Sequence, residues 1–303
     1  MTQIPYLDAA ALRRAVPMGV AVDALERLFA EGGVEVPQRS HLDVGGGDLL
    51  VMPAWGVAGV GVKLVTVNPS NPATGKPLIN GVYVLFARES LEPVGMVDGA
   101  AVTALRTPAV SAVATRHLAA PDASRLVIFG AGTQARGHLE AMRAVREIES
   151  LVVVARTEAS AADLVEEARG AGLDARTGAP EDVRAAEIVC TCTTSASPLF
   201  DGRLLPRGGH VNAVGAYKPD ARELDDAAVE RAAVVVEAKA AAMAEAGDVL
   251  GPLHSGALSP GAIHELGDVV RGSRPEAEIT VFKSVGLASE DLVVAAAALA
   301  GLG

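Results

Sequence analysis

A glycine-spaced stretch, Gly130-Ala131-Gly132-Thr133-Gln134-Ala135, carries the most specific chemistry in the sequence. It follows an apolar run, Leu126–Phe129, and precedes a helix-like stretch, Arg136–Val145. In that order the first glycine makes a tight turn, and the second lets backbone N–H groups approach a pyrophosphate. The small third residue, Ala135, lets helix and strand pack closely. The helix N-terminus adds partial positive charge. The pattern predicts a dinucleotide site, with Gly130, Gly132, Thr133 and Gln134 around the phosphates.

Selection between the two nicotinamide dinucleotides is made at the end of the next strand, where an acid would grip the ribose hydroxyls. Here Leu151–Val154 runs into Ala155-Arg156-Thr157, with Arg156 24 positions after Gly132. A guanidinium followed by a hydroxyl suits a 2′-phosphate, so the reading favours NADPH and leaves NADH open. The structural alternative is that Arg156 covers the adenine face or pairs with Glu158. Lys63 is the other anomaly, a lone ammonium inside the apolar run Val60–Val67. A mere surface role does not suit it there.

Competing chemistries are not supported. None of the six histidines falls in an HxxH or HExxH spacing, and no cysteine cluster has zinc-ligand spacing, so no metal site is predicted. No G-x-S-x-G elbow occurs. Cys190 and Cys192, two apart in an apolar run, read as core or cleft residues rather than a redox or metal pair.

The elements that must position these residues fall into regions of different texture. Residues 1 to about 118 combine an amphipathic helix around Val20–Glu31 with strand-like runs at Leu49–Met52, Val60–Val67 and Val82–Phe86. Ala109–Leu118 then reads as a helix with Thr107 as N-cap and Pro108 at its first position. After the linker Ala119–Ser124, apolar runs alternate with Ala-rich helical stretches: Leu126–Phe129, Leu151–Val154, Ile188–Thr191, Val211–Val214 and Val234–Val236. That alternation predicts an α/β fold with a doubly wound parallel sheet. A further strand, Ile279–Phe282, and a final apolar helix near Ser289–Leu299 stay with that sheet or cross back to the first region; texture does not decide.

Composition bounds the function classes. The 303 residues are 50% hydrophobic but only 3% aromatic, so the core is aliphatic. The net charge of −11, with a pI near 5.1, argues against nucleic acid or an anionic membrane surface as partner. The uncharged run 49–62 is 14 residues long and broken by Pro53, short of the roughly 20 a membrane span needs. The stretch Met1–Asp8 has neither a basic n-region nor an apolar h-region, which reads as no signal peptide, and a cytoplasmic location is expected.

Five blocks taken together resemble the ornithine cyclodeaminase/mu-crystallin family. They are Gly61-Val62-Lys63-Leu64-Val65-Thr66-Val67-Asn68-Pro69, Thr103-Ala104-Leu105-Arg106-Thr107, Gly130-Ala131-Gly132-Thr133-Gln134, Glu245-Ala246-Gly247-Asp248 and Thr280-Val281-Phe282-Lys283-Ser284-Val285-Gly286. They lie in family order and span nearly the whole chain. The resemblance implies a homodimer and a Rossmann-type domain (121–278) inserted into an α+β substrate-binding and dimerisation domain (1–120 plus 279–303). It carries a substrate-carboxylate role to Arg39 and Lys63, and contact with both substrate and cofactor to Arg106. It also places Thr107, Thr193, Val214, Gly215 and Ser284 against the cofactor and Val285 against the substrate.

The block Gly215-Ala216-Tyr217-Lys218-Pro219-Asp220-Ala221-Arg222-Glu223-Leu224 resembles the family segment at the nicotinamide end, and here the chain departs from the cyclodeaminases. They carry an acid/base Asp where this sequence has Tyr217 and a Glu where it has Leu50. Mu-crystallin-like imine reductases lack both acids and share the Arg-Glu-Leu. Tyr217 and Glu245 are the candidate proton-handling residues, Glu245 being equally readable as a surface carboxylate at a helix end. The expectation is an NAD(P)H-dependent reductase of a small carboxylate-bearing imine, such as pyrroline-2-carboxylate, to the amino acid. Alternatives are an NAD-bound ornithine cyclodeaminase, an amino-acid dehydrogenase, and a ligand-binding protein like mu-crystallin.

Overall fold

The apolar alternation of the first hundred residues folds as a largely antiparallel sheet. In the computed structural model, which describes residues 4–301, the elements run β1 (Tyr6–Leu7), α1 (Ala9–Ala15), α2 (Met18–Glu31), β2 (Val34–Glu35), β3 (Ser40–Asp43), β4 (Asp48–Gly56), β5 (Gly59–Val67), β6 (Ile79–Phe86) and β7 (Pro93–Asp98). Residues 1–3, where the stretch read for a leader begins, lie outside the described residues, as do the last two of the tail. The strand order is β1-β7-β6-β5-β4-β2, with β3 also on β4. The β1–β7 pair is parallel and the others antiparallel. Along β5, Gly61, Lys63 and Val65 are buried while Val62, Leu64 and Thr66 look outward. Gly61 is needed there, because a Cβ would run into the phenol of Tyr83 on β6.

The helix expected to start at Thr107 starts earlier. Gly99–Leu118 is one helix, α3, with Pro108 inside it, and Asp98 Oδ1 accepts the Ala101 N–H at 2.9 Å at its start. Thr-Pro has the signature of a helix beginning, yet Pro108 here only lacks the N–H its turn would have donated.

Beyond α3 come β8 (Arg125–Phe129), α4 (Thr133–Val145), β9 (Ser150–Val154), α5 (Glu158–Gly170), β10 (Asp174–Thr177), β11 (Ile188–Thr191), β12 (His210–Ala213), α6 (Asp226–Glu230), β13 (Ala232–Val236), α7 (Lys239–Glu245), α8 (Gly247–Ser255), β14 (Ile263–Glu265), α9 (Leu266–Val270) and β15 (Ile279–Lys283). These strands form one sheet in the order β10-β9-β8-β11-β12-β15-β13-β14, parallel at every pairing. Chain order reverses direction between β8 and β11, the topological switch point of a doubly wound sheet. Its core is aliphatic, built from Val127, Val189, Val211, Val234 and Val281, with one stacked ring pair, Phe129 and Phe200, 5.2 Å apart.

The chain divides into two units, Met1–Arg106 with Gly286–Gly303, and Thr107–Val285. The expected boundaries therefore shift at both junctions. The first falls inside α3 rather than in the 119–124 linker. At the second, β15 is hydrogen-bonded between β12 and β13 and stays with the parallel sheet. Only the last helix, α10 (Ala288–Ala300), belongs to the first unit, where it packs on α2 and across β4, β5 and β6.

Two buried histidines lie in the second unit. The Gln134 carbonyl can only accept, so His138 Nδ1 donates to it at 2.8 Å and Nε2 accepts from the Ser111 hydroxyl at 3.0 Å. His210 Nδ1 meets Thr280 Oγ1 at 2.8 Å. Burial lowers His138 from 6.5 to about 4 and His210 to about 3, so both fold neutral. An unfolded chain binds these protons below its own pKa near 6.5, whereas the folded chain does not, so stability is full above that pH and falls as pH drops toward 4. Thermal melts between pH 7 and 4 are expected to show this loss, and His138→Gln to have a shallower slope than wild type. Identical slopes would remove His138 from the account.

Candidate active site

Lys63 points to the face of the first sheet that α10 covers, and only 1% of it is exposed. Its Nζ donates to Asp291 Oδ1 at 2.7 Å and to Thr103 Oγ1 at 3.2 Å. Arg106, also buried, donates from Nε to the same Asp291 oxygen at 3.2 Å and from Nη1 to Glu290 Oε2 at 2.9 Å. Both acids are in the first turn of α10, where the helix dipole favours negative charge, and both are fully buried. Gly286, with φ +78°, gives the guanidinium its space, because a Cβ there would collide with it.

Two cations and two carboxylates are thus buried together, and each pairing offsets part of the cost of taking the charges out of water. Burial is the largest effect on Lys63 and lowers its pKa from 10.5 to about 8. Asp291 opposes that by charge and hydrogen bond, and the charge of Arg106 adds to it. Sequence reasoning identified both cations and missed their acids. The signal was present: Glu290-Asp291 is the sole charged pair in the otherwise apolar segment 288–300.

Arg39 is half-buried, one residue before β3. The pairings Ser40↔Val51 and Met52↔Lys63, continued by one residue, set Arg39 in the row of Met52 and Lys63. Leu50 is buried on the same face of β4 as Met52, so hydrocarbon and no carboxylate stands at that position.

In the second unit the glycine loop has the geometry its spacing predicts. Gly130 adopts φ +104° and lies against the Cys192 backbone, which any Cβ would meet. Gly132 is the N-cap of α4, with no side-chain cap and no acid in the first turn. Thr133 and Gln134 open the helix, and Ala135 is fully buried. These groups fit a pyrophosphate. Arg156 is exposed just past β9. The Thr157 hydroxyl, expected to help it, instead caps α5, with Ser160 N at 3.4 Å and Ser160 Oγ at 2.6 Å.

Thr193 and Gly215 follow β11 and β12 at the carboxyl edge of the sheet, and the Val214 N–H is bonded to Thr191 O at 3.1 Å. The Ser284 hydroxyl and the Val285 N–H are both held by the buried Glu237, the latter at 3.0 Å. Thr107 is buried within α3. Tyr217 is half-buried with Lys218 Nζ 6.0 Å from its ring centre, and Glu245 is the half-buried last residue of α7. Cys190 and Cys192 are free thiols, and burial raises Cys190 to about 12, so neither is a poised nucleophile. Among the described residues no cluster of three His, Cys, Asp or Glu could hold a metal ion, and no helix is long and apolar enough to cross a membrane.

Residues 11–299 match the ornithine cyclodeaminase/mu-crystallin family, and the chain belongs to it. Over 257 residues it is 42% identical to a Delta(1)-pyrroline-2-carboxylate reductase of Bacillus thuringiensis, covering 81% of this chain and 79% of the relative. It is 37% identical to the ketimine reductase mu-crystallin of Mus musculus over 274 residues, 88% of this chain and 84% of that one. The Delta(1)-pyrroline-2-carboxylate reductase of Thermococcus litoralis, solved with NADH and L-proline, superposes with a TM-score of 0.93 at 33% identity, covering 98% and 97% of the two chains. An archaeal alanine dehydrogenase dimer with bound NAD has the same TM-score at 28% identity, covering 98% and 95%.

The Lys63 assignment is open to direct titration, since the chain has five lysines. A 13Cε-lysine NMR titration is expected to find Lys63 with a midpoint near 8, and a lower one in Asp291→Asn, which keeps the shape and removes the opposing charge. A wild-type midpoint at the ordinary 10.5 would refute the buried-pair account.

Proposed function

We propose that this member of the family is an NAD(P)H-dependent reductase of a small imine bearing a carboxylate, a cyclic ketimine of the pyrroline-2-carboxylate class, giving the amino acid. The observation that carries the reading is a buried, preset Lys63–Arg106 cation pair on a chain with Leu50 and Tyr217 at the cyclodeaminase acid positions. The relatives named as pyrroline-2-carboxylate and ketimine reductases support it.

When bound, the dinucleotide supplies a hydride from nicotinamide C4 to the imine carbon. The chain's own groups orient and charge-balance the other reactant. Lys63 Nζ keeps its proton at neutral pH and, with Arg39 and Arg106, holds the substrate carboxylate. One proton must reach the imine nitrogen as its double bond becomes single; the Tyr217 hydroxyl, Glu245 or water delivers it. Cyclodeamination would need an additional carboxylate to shuttle protons as the amine leaves. A phenol gives up its proton far less readily than a carboxylic acid and serves that poorly, and Leu50 cannot serve it.

NADPH is the preferred cofactor in this reading, supported by an exposed Arg156 and no acid at the end of β9. The free thiols suit a reducing cytoplasm. The outer face of the first sheet supports a homodimer: Leu64 and Trp55 are each 37% exposed, and Val62 and Val84 are half-buried beside them.

A spectrophotometric assay tests the chemistry. Pyrroline-2-carboxylate is expected to consume NADPH faster than NADH at equal concentration, with the preference reversed or erased in Arg156→Asp. Lys63→Ala is expected to lose about a hundredfold or more in kcat/KM with NADPH affinity nearly kept. Proline and ammonia formed from ornithine with NAD would overturn the choice of reaction. The dimer is tested by light scattering: Leu64→Asp is expected to halve the mass, and an unchanged mass would move the interface elsewhere.

A further inference from the structure

The most completely satisfied charge in the second unit belongs to a residue given no role in dinucleotide binding. Glu223 is fully buried, and four donors converge on its carboxylate. Thr193 N–H and Thr193 Oγ1 donate to Oε1 at 2.8 and 2.7 Å. Thr191 Oγ1 and Gly215 N–H donate to Oε2, both at 2.7 Å. One side chain thus ties the loop after β11 to the loop after β12. The approach is so close that a Cβ on Gly215 would meet both Thr193 O and Glu223 Oε1.

Glu223 is itself held. Asp248 Oδ1, buried at the start of α8, accepts the Glu223 and Leu224 N–H groups at 2.7 and 2.9 Å. Lys283, buried at the end of β15, pairs with Asp248 at 2.8 Å and donates to the Ala216 carbonyl. The chain Lys283–Asp248–Glu223 therefore links β15 and α8 to both loops.

In a doubly wound sheet the pyrophosphate sits at the first βα turn, here Gly130–Gly132, and the adenosine lies toward the end of the second strand, here β9. The nicotinamide half of an extended dinucleotide must then run the other way, over the ends of β11 and β12. We propose that Glu223 is a positioning residue for the nicotinamide half of the cofactor, acting through the Thr193 and Gly215 loops and backed by Asp248 and Lys283. The proposal rests on the dinucleotide reading of the glycine loop.

A buried carboxylate facing four donors tolerates no donor of its own. Glu223→Gln keeps the shape but turns an N–H₂ toward two of them, enough to spread the two loops. The test compares whole and half ligands on the full chain. NADPH binding, followed by nicotinamide fluorescence, is expected to weaken about tenfold or more in Glu223→Gln. Binding of 2′-phospho-ADP-ribose, which lacks the nicotinamide, is expected to stay within about twofold by calorimetry. Thr191→Val removes one of the four donors from within a strand and is expected to give a smaller loss of the same selectivity, so a poorly folding Glu223→Gln leaves the idea testable. Equal losses for both ligands, or no loss for either, would overturn the proposal. Wild-type protein that binds neither ligand would instead refute the dinucleotide reading beneath it.

Discussion

Burying a lysine and an arginine side by side is the constraint from which much of the first unit follows. Lys63 and Arg106 repel each other, and an unpaired buried ion costs several kcal/mol, so neither is tolerable there without carboxylates inside the same dry volume. No acid of β4, β5 or β6 supplies one to Lys63; Asp291 does, from a helix 228 residues further along the chain. The C-terminal segment must therefore return to the first unit, and everything between Thr107 and Val285 becomes an insertion. Breaking such a buried pair by removing one partner costs about 3–5 kcal/mol. The exposed pairs Arg169–Glu166 and Arg271–Asp268 are worth about 0–1 kcal/mol each. Four side chains in the first unit thus outweigh any one of these surface ion pairs.

The second unit solves a different problem with related means. Several of its inner strands are short apolar runs that say little about the loops after them, and specific polar contacts shape those loops. Glu223, Glu237 and Asp248, all buried, each accept backbone N–H groups at loop or element ends. A carboxylate satisfied by several short N–H and O–H donors is rigid, because any displacement leaves a buried charge underbonded. The glycines at 130 and 215 complete this by allowing backbones to approach where a side chain would separate them.

How much was legible in the sequence follows from the same physics. Strands of the second sheet carry short apolar runs, interrupted in β12 by His210 and Asn212, so β8, β9, β11, β12, β13 and β15 stood out from their neighbours. Edge strands did not: β10 is Asp-Ala-Arg-Thr, β14 is Ile-His-Glu and β3 is Ser-His-Leu-Asp, each held by ladder hydrogen bonds with few apolar side chains to betray it. The start of α3 was hidden because Thr107-Pro108 imitates a cap and first turn. For the site, cations in apolar surroundings and a glycine loop after a strand carry their meaning locally. Glu290, Asp291 and Glu223 do not. Each is an ordinary acid in a helical or loop stretch until the fold brings a lysine, an arginine or two loops to it.

In the proposed reading, Leu50 and Tyr217 separate binding from proton transfer. Leu50 lies on β4 with no charge to offer, and Tyr217 is in the loop after β12. Hydrocarbon at Leu50 can carry no proton, and the ion pairs of Lys63 and Arg106 with Asp291 and Glu290 are made without that side chain. The reverse does not hold. Any change to Asp291 alters the charge and hydrogen bonding of Lys63 and Arg106 together, since one of its oxygens is shared by both. In this chain a solitary position such as Leu50 can therefore change at less structural cost than the paired cations, which depend on Asp291 and its helix together.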